Sequence, residues 1–236
     1  MKAMIFAAGL GTRLKPLTDT MPKALVPLAG KSLLQWQVEK LRDAGITDII
    51  VNIHHFPDLI IDAVRANEGW GCTITISDER DMLLDTGGGL KKAISGDEPI
   101  LACNVDILSN IDIRAFIAAY EQTGVSQLVV SDRQTQRYLC FDEADTLCGW
   151  TNIATGEIKG QDGRHLAFSG MQILSPEALA HLRTMPETKF SLIDFYLRTM
   201  HQVPFCAYIP ADYRMMDVGK IDQIEEAEAF AENLKS

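Results

Sequence analysis

Apolar residues recur along the first half of the chain in short blocks that alternate with stretches of helical spacing. Five blocks have the length and the β-branched content of strands buried in a sheet. They lie at Ala3–Ala7, Thr47–Ile53, Cys72–Ser77, Pro99–Cys103 and Gln127–Ser131. Between them, apolar positions three or four residues apart predict helices, the first of which begins after Ser32 and ends at Gly45. This βαβαβαβαβ order predicts a parallel sheet covered by helices.

The pattern changes from about Asp132, where short segments are separated by glycine turns. These segments predict a small antiparallel flap. Beyond them we expect strands at 165–174, 205–209 and 213–216 and helices at 176–182, 190–200 and 221–234. No linker is long enough to separate two domains, so we expect a single domain that spans residues 1–236.

The composition narrows the range of functions. Of the 236 residues, 47% are hydrophobic, which is enough for one sizeable core, and the formal net charge is -10. This charge argues against nucleic acid or an acidic membrane as a partner, because both require a basic surface. The five cysteines form no C-x-x-C pair, and no apolar run approaches the length of a membrane span. We therefore expect no zinc or disulfide framework, no membrane partner and a cytoplasmic location.

A cluster of glycines and cations follows the first predicted strand. Gly9 and Gly11 allow backbone N–H groups to approach a ligand closely, and such groups bind phosphate oxygens. Arg13, Lys15 and Lys23 add positive charge that would hold the bound phosphates. These features predict a nucleoside triphosphate site. As a loop cation, Lys23 should be exposed and should contribute little to folding.

The stretch from Ala7 to Gly30 reads A-A-G-x-G-T-R-L-x-P-L-T followed by P-K-x-L-x-P-x-x-G. In this pattern the chain resembles the sugar-1-phosphate nucleotidylyltransferase family. Further landmarks follow in the family's order at Gly87–Gly89, Asn104–Asp106, Phe168–Gly170 and Asp217–Gly219. The resemblance covers nearly the whole chain. It implies an α/β, GT-A-like nucleotidyltransferase fold, with a Rossmann-like, mostly parallel sheet, helices on both faces and a small antiparallel flap.

The resemblance also implies a set of nucleotide contacts. These are Ala8, Gly9, Gly11, Thr12, Arg13, Lys23 and Gly88. Backbone groups of Ala8, Gly9 and Gly88 would face the base and ribose, and Gly11 to Arg13 would hold the β- and γ-phosphates. Lys23 would contact the α-phosphate, and Arg13 and Lys23 would be the catalytic residues. The nucleotide-binding half would span about residues 1–131 and the sugar-binding half about 132–236.

The metal and sugar contacts implied by the resemblance come from later in the chain. Asp106 and Asp217 follow apolar strands, where open α/β sheets place their ligands, and together they would hold Mg²⁺ with the substrate phosphates. Gly170 would lie at the sugar pocket, together with Asn152 and Glu157. The chain has no E-K-P turn of the kind that many relatives use to contact the sugar.

The reaction implied is nucleotidyl transfer from a nucleoside triphosphate to a sugar-1-phosphate, with release of pyrophosphate. The compact length and the glycine turn are most similar to the group that contains N-acetylmuramate-1-phosphate uridylyltransferases and mannose-1-phosphate guanylyltransferases. UTP with N-acetylmuramate-1-phosphate or a similar hexose-1-phosphate is therefore the favoured pair. GTP with mannose-1-phosphate, CTP with phosphocholine, and a catalytically silent regulatory subunit are the alternatives. We expect a monomer or a homodimer.

Two departures from the family pattern affect the metal side. Val105 stands where many relatives have glycine, so the backbone before Asp106 is less free to bend. Lys220 replaces the threonine that commonly follows the D-[IV]-G motif, which adds a cation near the carboxylates or on the helix surface.

Simpler interpretations stay open for four of these features. Gly9 and Gly11 also begin a dinucleotide-binding pattern, although the third glycine is missing. Gly87–Gly89 standing alone would indicate only a tight turn. Asp106 could serve as a helix cap, and Asp217 could be a turn residue before glycine.

Overall fold

Four parallel strands form the middle of the structure, as the apolar blocks predict. The computed structural model describes residues 1–234. Its strands are β1 (Lys2–Phe6), β2 (Pro27–Leu28), β3 (Lys31–Ser32), β4 (Asp48–Ile53), β5 (Thr73–Asp78), β6 (Ile100–Asn104), β7 (Ile107–Ser109), β8 (Ser126–Ser131), β9 (Arg137–Phe141), β10 (Leu147–Asn152), β11 (Glu157–Gly160), β12 (Arg164–Leu174), β13 (Phe205–Tyr208) and β14 (Met215–Asp217). Its α-helices are α1 (Leu33–Asp43), α2 (Pro57–Ala66), α3 (Asp85–Ala93), α4 (Ile113–Thr123), α5 (Pro176–Thr184), α6 (Leu192–Thr199) and α7 (Ile224–Asn233).

The main sheet has the strand order β11-β10-β9-β12-β6-β1-β4-β5. Strands β6, β1, β4 and β5 run parallel. The long strand β12 runs antiparallel to β6, β8 and β9, and β13 runs parallel to β8. The fifth predicted strand, β8, therefore joins the sheet through β12 instead of extending the parallel series. Strands β9 to β11 form the predicted antiparallel flap.

Helices cover both faces of the sheet, as the resemblance implied. Alternate residues of β1 show the division, because Ala3 and Ile5 belong to one apolar core and Met4 and Phe6 to the other. The first core is covered by α1, α2, α4 and α7, and the second by α3, α5 and α6. The carboxyl ends of the parallel strands stay uncovered between these layers, and the cavity described below opens there.

Several element ends follow the local sequence closely. The Ser32 hydroxyl accepts a hydrogen bond from the Gln35 N–H at 3.1 Å, as its capping position predicts. Gly124 ends α4 in the left-handed region with φ of 67°. The triple glycine was predicted as a turn that enters a helix, but α3 already begins at Asp85, so Gly87–Gly89 lie within the helix.

The last third of the chain adds one feature that the apolar pattern did not predict. Strand β14 pairs antiparallel with β7, so these two strands form a ribbon separate from the main sheet. Helix α1 supports the ribbon from behind, where Gln37 Nε2 donates to the Ile107 carbonyl at 2.6 Å and Lys40 Nζ donates to the Ser109 carbonyl at 2.6 Å. None of the helices formed by residues 1–234 has the length and apolar content needed to span a membrane.

Candidate active site

A cavity of about 520 Å³ lies where β1, β4 and β6 end. Most of the predicted nucleotide residues line it, together with one of the predicted metal ligands. These residues are Ala8, Gly9, Gly11, Thr12, Arg13, Lys23 and Asp106. The wall also contains Asn52, Leu83 and Lys189, which the sequence did not single out. Asp85, Thr86 and Gly219 line it as well, and the sequence marked these only as parts of motifs, without a role in the site. The structure thus brings the cationic loop and the strand ends to one place.

The loop after β1 is shaped by a left-handed residue and a buried hydroxyl. Gly11 has φ of 62°, and a Cβ at this position would lie 2.8 Å from the Thr18 side chain and 3.0 Å from Lys23 Cβ. The Thr18 hydroxyl donates to the Gly11 carbonyl at 2.8 Å and is itself buried. Only glycine fits this turn without strain. The turn leaves Thr12 and Arg13 exposed at the cavity.

Lys23 is buried, contrary to the expectation of an exposed loop cation. Its residue surface is only 7% exposed, and its ammonium group forms an ion pair with the Asp106 carboxylate. Residues Lys23–Leu25 form a short 3-10 turn, which directs the lysine inward toward the end of β6. A buried ammonium requires an anionic partner, and Asp106 provides it. Lys23 therefore serves folding as well as any phosphate that enters the cavity.

The two predicted metal ligands lie side by side at one end of the ribbon, with Asp217 on β14 and Asp106 directly before β7. The Val218 N–H donates to the Asp106 carbonyl at 2.8 Å, and Asp217 is paired in register with Ile107. Burial raises the pKa of the Asp217 carboxyl group, and the negative charge of Asp106 raises it further. The carboxylates therefore lie close enough to repel each other.

Two cations oppose this repulsion. Lys23 and Arg13 both act to lower the pKa of Asp217. Gly219 leaves room for the contact, since a Cβ there would lie 2.6 Å from Asp217 Oδ1 and 2.9 Å from Arg13 Nη2. Two neighbouring carboxylates, one of them in the cavity wall, suit a divalent cation that also binds phosphate oxygens. The residues present therefore fit Mg²⁺.

Gly88 does not line the cavity. Its N–H donates to the Phe190 carbonyl at 3.1 Å, and a Cβ there would lie 2.2 Å from the Thr188 carbonyl oxygen. The glycine thus allows α3 to pack closely against the segment that precedes α6. On this side the cavity is lined by Leu83, Asp85 and Thr86 at the entry to α3, where Asp85 is exposed and the other two residues are half-buried.

A buried chain of hydrogen bonds connects the segment before α3 to the start of the loop that follows β1. Asn52 Oδ1 accepts from the Ala7 N–H at 2.8 Å, and Asn52 Nδ2 donates to Glu79 Oε1 at 2.7 Å. Glu79 Oε2 accepts in turn from the Leu84 N–H at 3.0 Å. Both polar side chains are buried. The chain fixes the spacing between the start of the glycine loop and the segment before α3.

The predicted sugar residues do not come together. Gly170 has φ of 69° and adjoins the cavity, because a Cβ there would lie 2.9 Å from Asn104 Nδ2. Asn152 lies at the tip of the β10–β11 hairpin, where its side chain accepts from the Ala154 N–H at 3.1 Å. Glu157 is exposed across the same hairpin. Neither hairpin residue lines the cavity.

The fold and the cavity define a nucleotide-binding transferase, and comparisons with known proteins identify its family. A family model described as "Nucleotidyl transferase" matches residues 2–146. The chain belongs to this family of nucleotidyltransferases.

Named relatives match most of the chain. The N-acetylmuramate alpha-1-phosphate uridylyltransferase of Neisseria meningitidis serogroup B is 42% identical, over 98% of both chains. That of Caulobacter vibrioides is 33% identical, over 88% of both. Among solved structures, HddC from Yersinia pseudotuberculosis, complexed with GMP-PN, superposes with a TM-score of 0.77 at 25% identity over 98% of this chain and 99% of that one. A UDP-glucose pyrophosphorylase at 18% identity has a TM-score of 0.81 and shares the fold.

Proposed function

We propose that the protein transfers a nucleoside monophosphate from a nucleoside triphosphate to a sugar-1-phosphate and releases pyrophosphate. The favoured pair is UTP and N-acetylmuramate-1-phosphate, because the uridylyltransferase relatives match the chain over nearly its whole length. The observation that carries the proposal is the convergence of Arg13, Lys23 and Asp106 on the wall of a single cavity, with Asp217 on the strand that adjoins Asp106. Since the proposed substrates are phosphorylated metabolites, we expect the protein to act in the cytoplasm.

The proposed reaction needs charge neutralisation more than proton transfer. A phosphate monoester has a second pKa of about 6, so the sugar-1-phosphate is largely a dianion at neutral pH. One of its oxygens attacks the α-phosphorus of the triphosphate, and the bond from that phosphorus to the bridging oxygen of the β-phosphate breaks. The attacking group carries no proton to remove, so no general base is required. Positioning and electrostatic stabilisation supply the catalysis.

Arg13 and Lys23 are the residues that we assign to the reacting phosphates. The Arg13 guanidinium is exposed at the loop tip, where its planar fork suits the departing β- and γ-phosphates, cradled by the backbone around Gly11 and Thr12. Lys23 provides a point charge at the α-phosphate. Its ammonium group is paired with Asp106 in this structure. Asp106 would hold a divalent cation when one is bound, and Lys23 would then be available to the substrate phosphate.

The metal that we assign to the site is Mg²⁺, held by Asp106 and Asp217. It would supply neutralisation of the phosphate charge and would fix the α-phosphate for in-line attack. Ala8 and Gly9 are assigned to the base and ribose. For Gly88 we assign an indirect part, through its packing against residue 188, with Asp85 and Thr86 at the cavity surface. Gly170 is assigned to the sugar side, and Asn152 and Glu157 stay as distant candidates on the hairpin.

Pyrophosphate release tests the proposal. The protein is incubated with each of UTP, GTP, CTP, ATP and dTTP, with Mg²⁺ and with N-acetylmuramate-1-phosphate, N-acetylglucosamine-1-phosphate, mannose-1-phosphate or phosphocholine. We expect the highest rate with UTP and N-acetylmuramate-1-phosphate. A preference for GTP with mannose-1-phosphate or for CTP with phosphocholine would replace the favoured pair. Absence of pyrophosphate in every combination would contradict the proposed function and leave a regulatory subunit.

A further inference from the structure

Arg133 is a cation that the proposed phosphate chemistry does not use. It lies in the connection between β8 and β9 and is exposed. Its Nη2 donates to the carbonyl of Phe168 at 3.0 Å, and within residues 1–234 it forms no ion pair with a carboxylate. One N–H group of the guanidinium is therefore bound to a backbone carbonyl, while its other N–H groups have no anionic partner within the described residues.

The position of Arg133 relates it to the acceptor side of the cavity. Phe168 lies on β12, two residues before Gly170, and Gly170 adjoins the side chain of Asn104 in the cavity wall. Met171 on β12 pairs antiparallel with Cys103 on β6, so Phe168 lies beyond the end of β6, on the side where Asp106 follows that strand. Arg133 thus lies near the carboxylate pair but on the flap side, away from the strand β1 that precedes the phosphate loop.

The chemistry of the fork indicates what it binds. Arg13 and Lys23 already account for the phosphates of the triphosphate. An arginine with open N–H groups in a fixed plane is suited to a carboxylate, which it binds through two parallel hydrogen bonds. A neutral hexose would offer only hydroxyl groups there. N-acetylmuramate differs from N-acetylglucosamine by a lactyl ether that ends in a carboxylate.

We propose that Arg133 binds a carboxylate carried by the acceptor sugar, so that the site selects acidic amino-sugar phosphates over their neutral counterparts. This inference rests on the proposed function, and it assigns to one residue the choice of acceptor.

Two acceptors that differ only in the lactyl group provide the test. The kcat/KM of wild type, Arg133→Gln and Arg133→Lys is measured with N-acetylmuramate-1-phosphate and with N-acetylglucosamine-1-phosphate, at saturating UTP and Mg²⁺. Arg65→Gln is the matched control. Arg65 is an exposed arginine on α2, its guanidinium pairs with the Asp62 carboxylate at 3.4 Å, and it does not line the cavity.

We expect Arg133→Gln to lower kcat/KM for the acidic acceptor by about 10- to 100-fold, mainly through KM, since a charged hydrogen bond to substrate is lost. For the neutral acceptor the change should stay within about twofold. Arg133→Lys should retain part of the preference, because it keeps the charge but not the fork. Arg65→Gln should leave both values unchanged.

Three outcomes would overturn the inference. Equal losses on both acceptors would place Arg133 on a phosphate common to both. If Arg133→Gln keeps the wild-type preference for the acidic acceptor, Arg133 does not contact the acceptor. If the wild-type enzyme prefers the neutral acceptor, recognition of a substrate carboxylate by Arg133 is refuted, while the proposed nucleotidyl transfer still stands. Absence of transfer to any acceptor would instead contradict the proposed function, and this inference would fail with it.

Discussion

The Lys23–Asp106 ion pair joins two distant segments of the chain, and both of its members also belong to the catalytic site that we propose. Lys23→Met keeps most of the buried stem and removes only the charge, so Asp106 loses its partner. The side chains of Lys23 and Asp106 are 9% and 22% exposed. Breaking a fully buried pair costs about 3–5 kcal/mol, and the partial exposure of Asp106 lets water offset some of this, so we expect about 2 kcal/mol. For a chain of this size that corresponds to a fall in Tm of about 4–8 °C.

Urea unfolding of four proteins measures this effect. Wild type, Lys23→Met, Asp106→Asn and the double variant form a double-mutant cycle. The double variant should recover about 1 kcal/mol relative to the sum of the single changes, because no unpaired charge is left buried. Lys15→Met is the control, since Lys15 pairs with Asp19 at 2.9 Å in the same loop but is 60% exposed, and its loss should cost less than about 0.5 kcal/mol.

Activity should not recover with stability. If Lys23 neutralises the α-phosphate as proposed, both Lys23→Met and the double variant should lose about 100-fold or more in kcat. A stability of Lys23→Met within 0.5 kcal/mol of wild type would refute the reasoning from burial. Strictly additive losses in the cycle would refute the coupling between the two side chains.

Three further predictions follow from other parts of the structure. Gly88→Ala should lower the free energy of unfolding by about 1–3 kcal/mol, because the new Cβ meets the Thr188 carbonyl oxygen, and an unchanged urea midpoint would contradict this. Burial lowers the pKa of Lys40 from 10.5 to about 8, so between these values the unfolded chain binds the extra proton and stability rises with pH. Urea unfolding of wild type relative to Lys40→Met should show this rise, and a flat difference would count against it. Asp217→Asn should raise the Mg²⁺ concentration for half-maximal rate at least about tenfold, and an unaltered Mg²⁺ titration would remove Asp217 from the metal site.

Local patterns predicted most of the fold. Runs such as Ala3–Ala7 and Thr47–Ile53 became adjacent parallel strands because both of their faces are apolar. The helix cap at Ser32 and the helix end at Gly124 depend only on residues next to them in sequence, so both were predicted correctly. The triple glycine was misread as a turn, because glycine usually ends helices and the packing partner that requires Gly88 lies far away in sequence.

In the candidate site, too, features formed by neighbouring residues were predictable and features formed by residues distant in sequence were not. That the loop after β1 lines the cavity was predictable, because Gly9, Gly11 and Arg13 lie close together in the sequence. Its binding of phosphate stays a prediction. The burial of Lys23 was not predictable, since its partner Asp106 lies far away in sequence, in the turn between β6 and β7. The hydrogen bond from Asn52 to Glu79 connects the ends of β4 and β5, and the sequence around neither residue indicates it. Lys189 enters the cavity from the connection before α6, where a lone lysine suggests only solvent exposure.

The ribbon of β7 and β14 has a consequence for the order in which the protein is made. Asp106 emerges from the ribosome long before Asp217, so strand β14 can pair with β7 only after every strand of the main sheet has been made. If the two carboxylates share the ion as we propose, a nascent chain holds the phosphate loop but half of the metal site. Chemical competence would then arrive only with β14, after the main sheet has been synthesised.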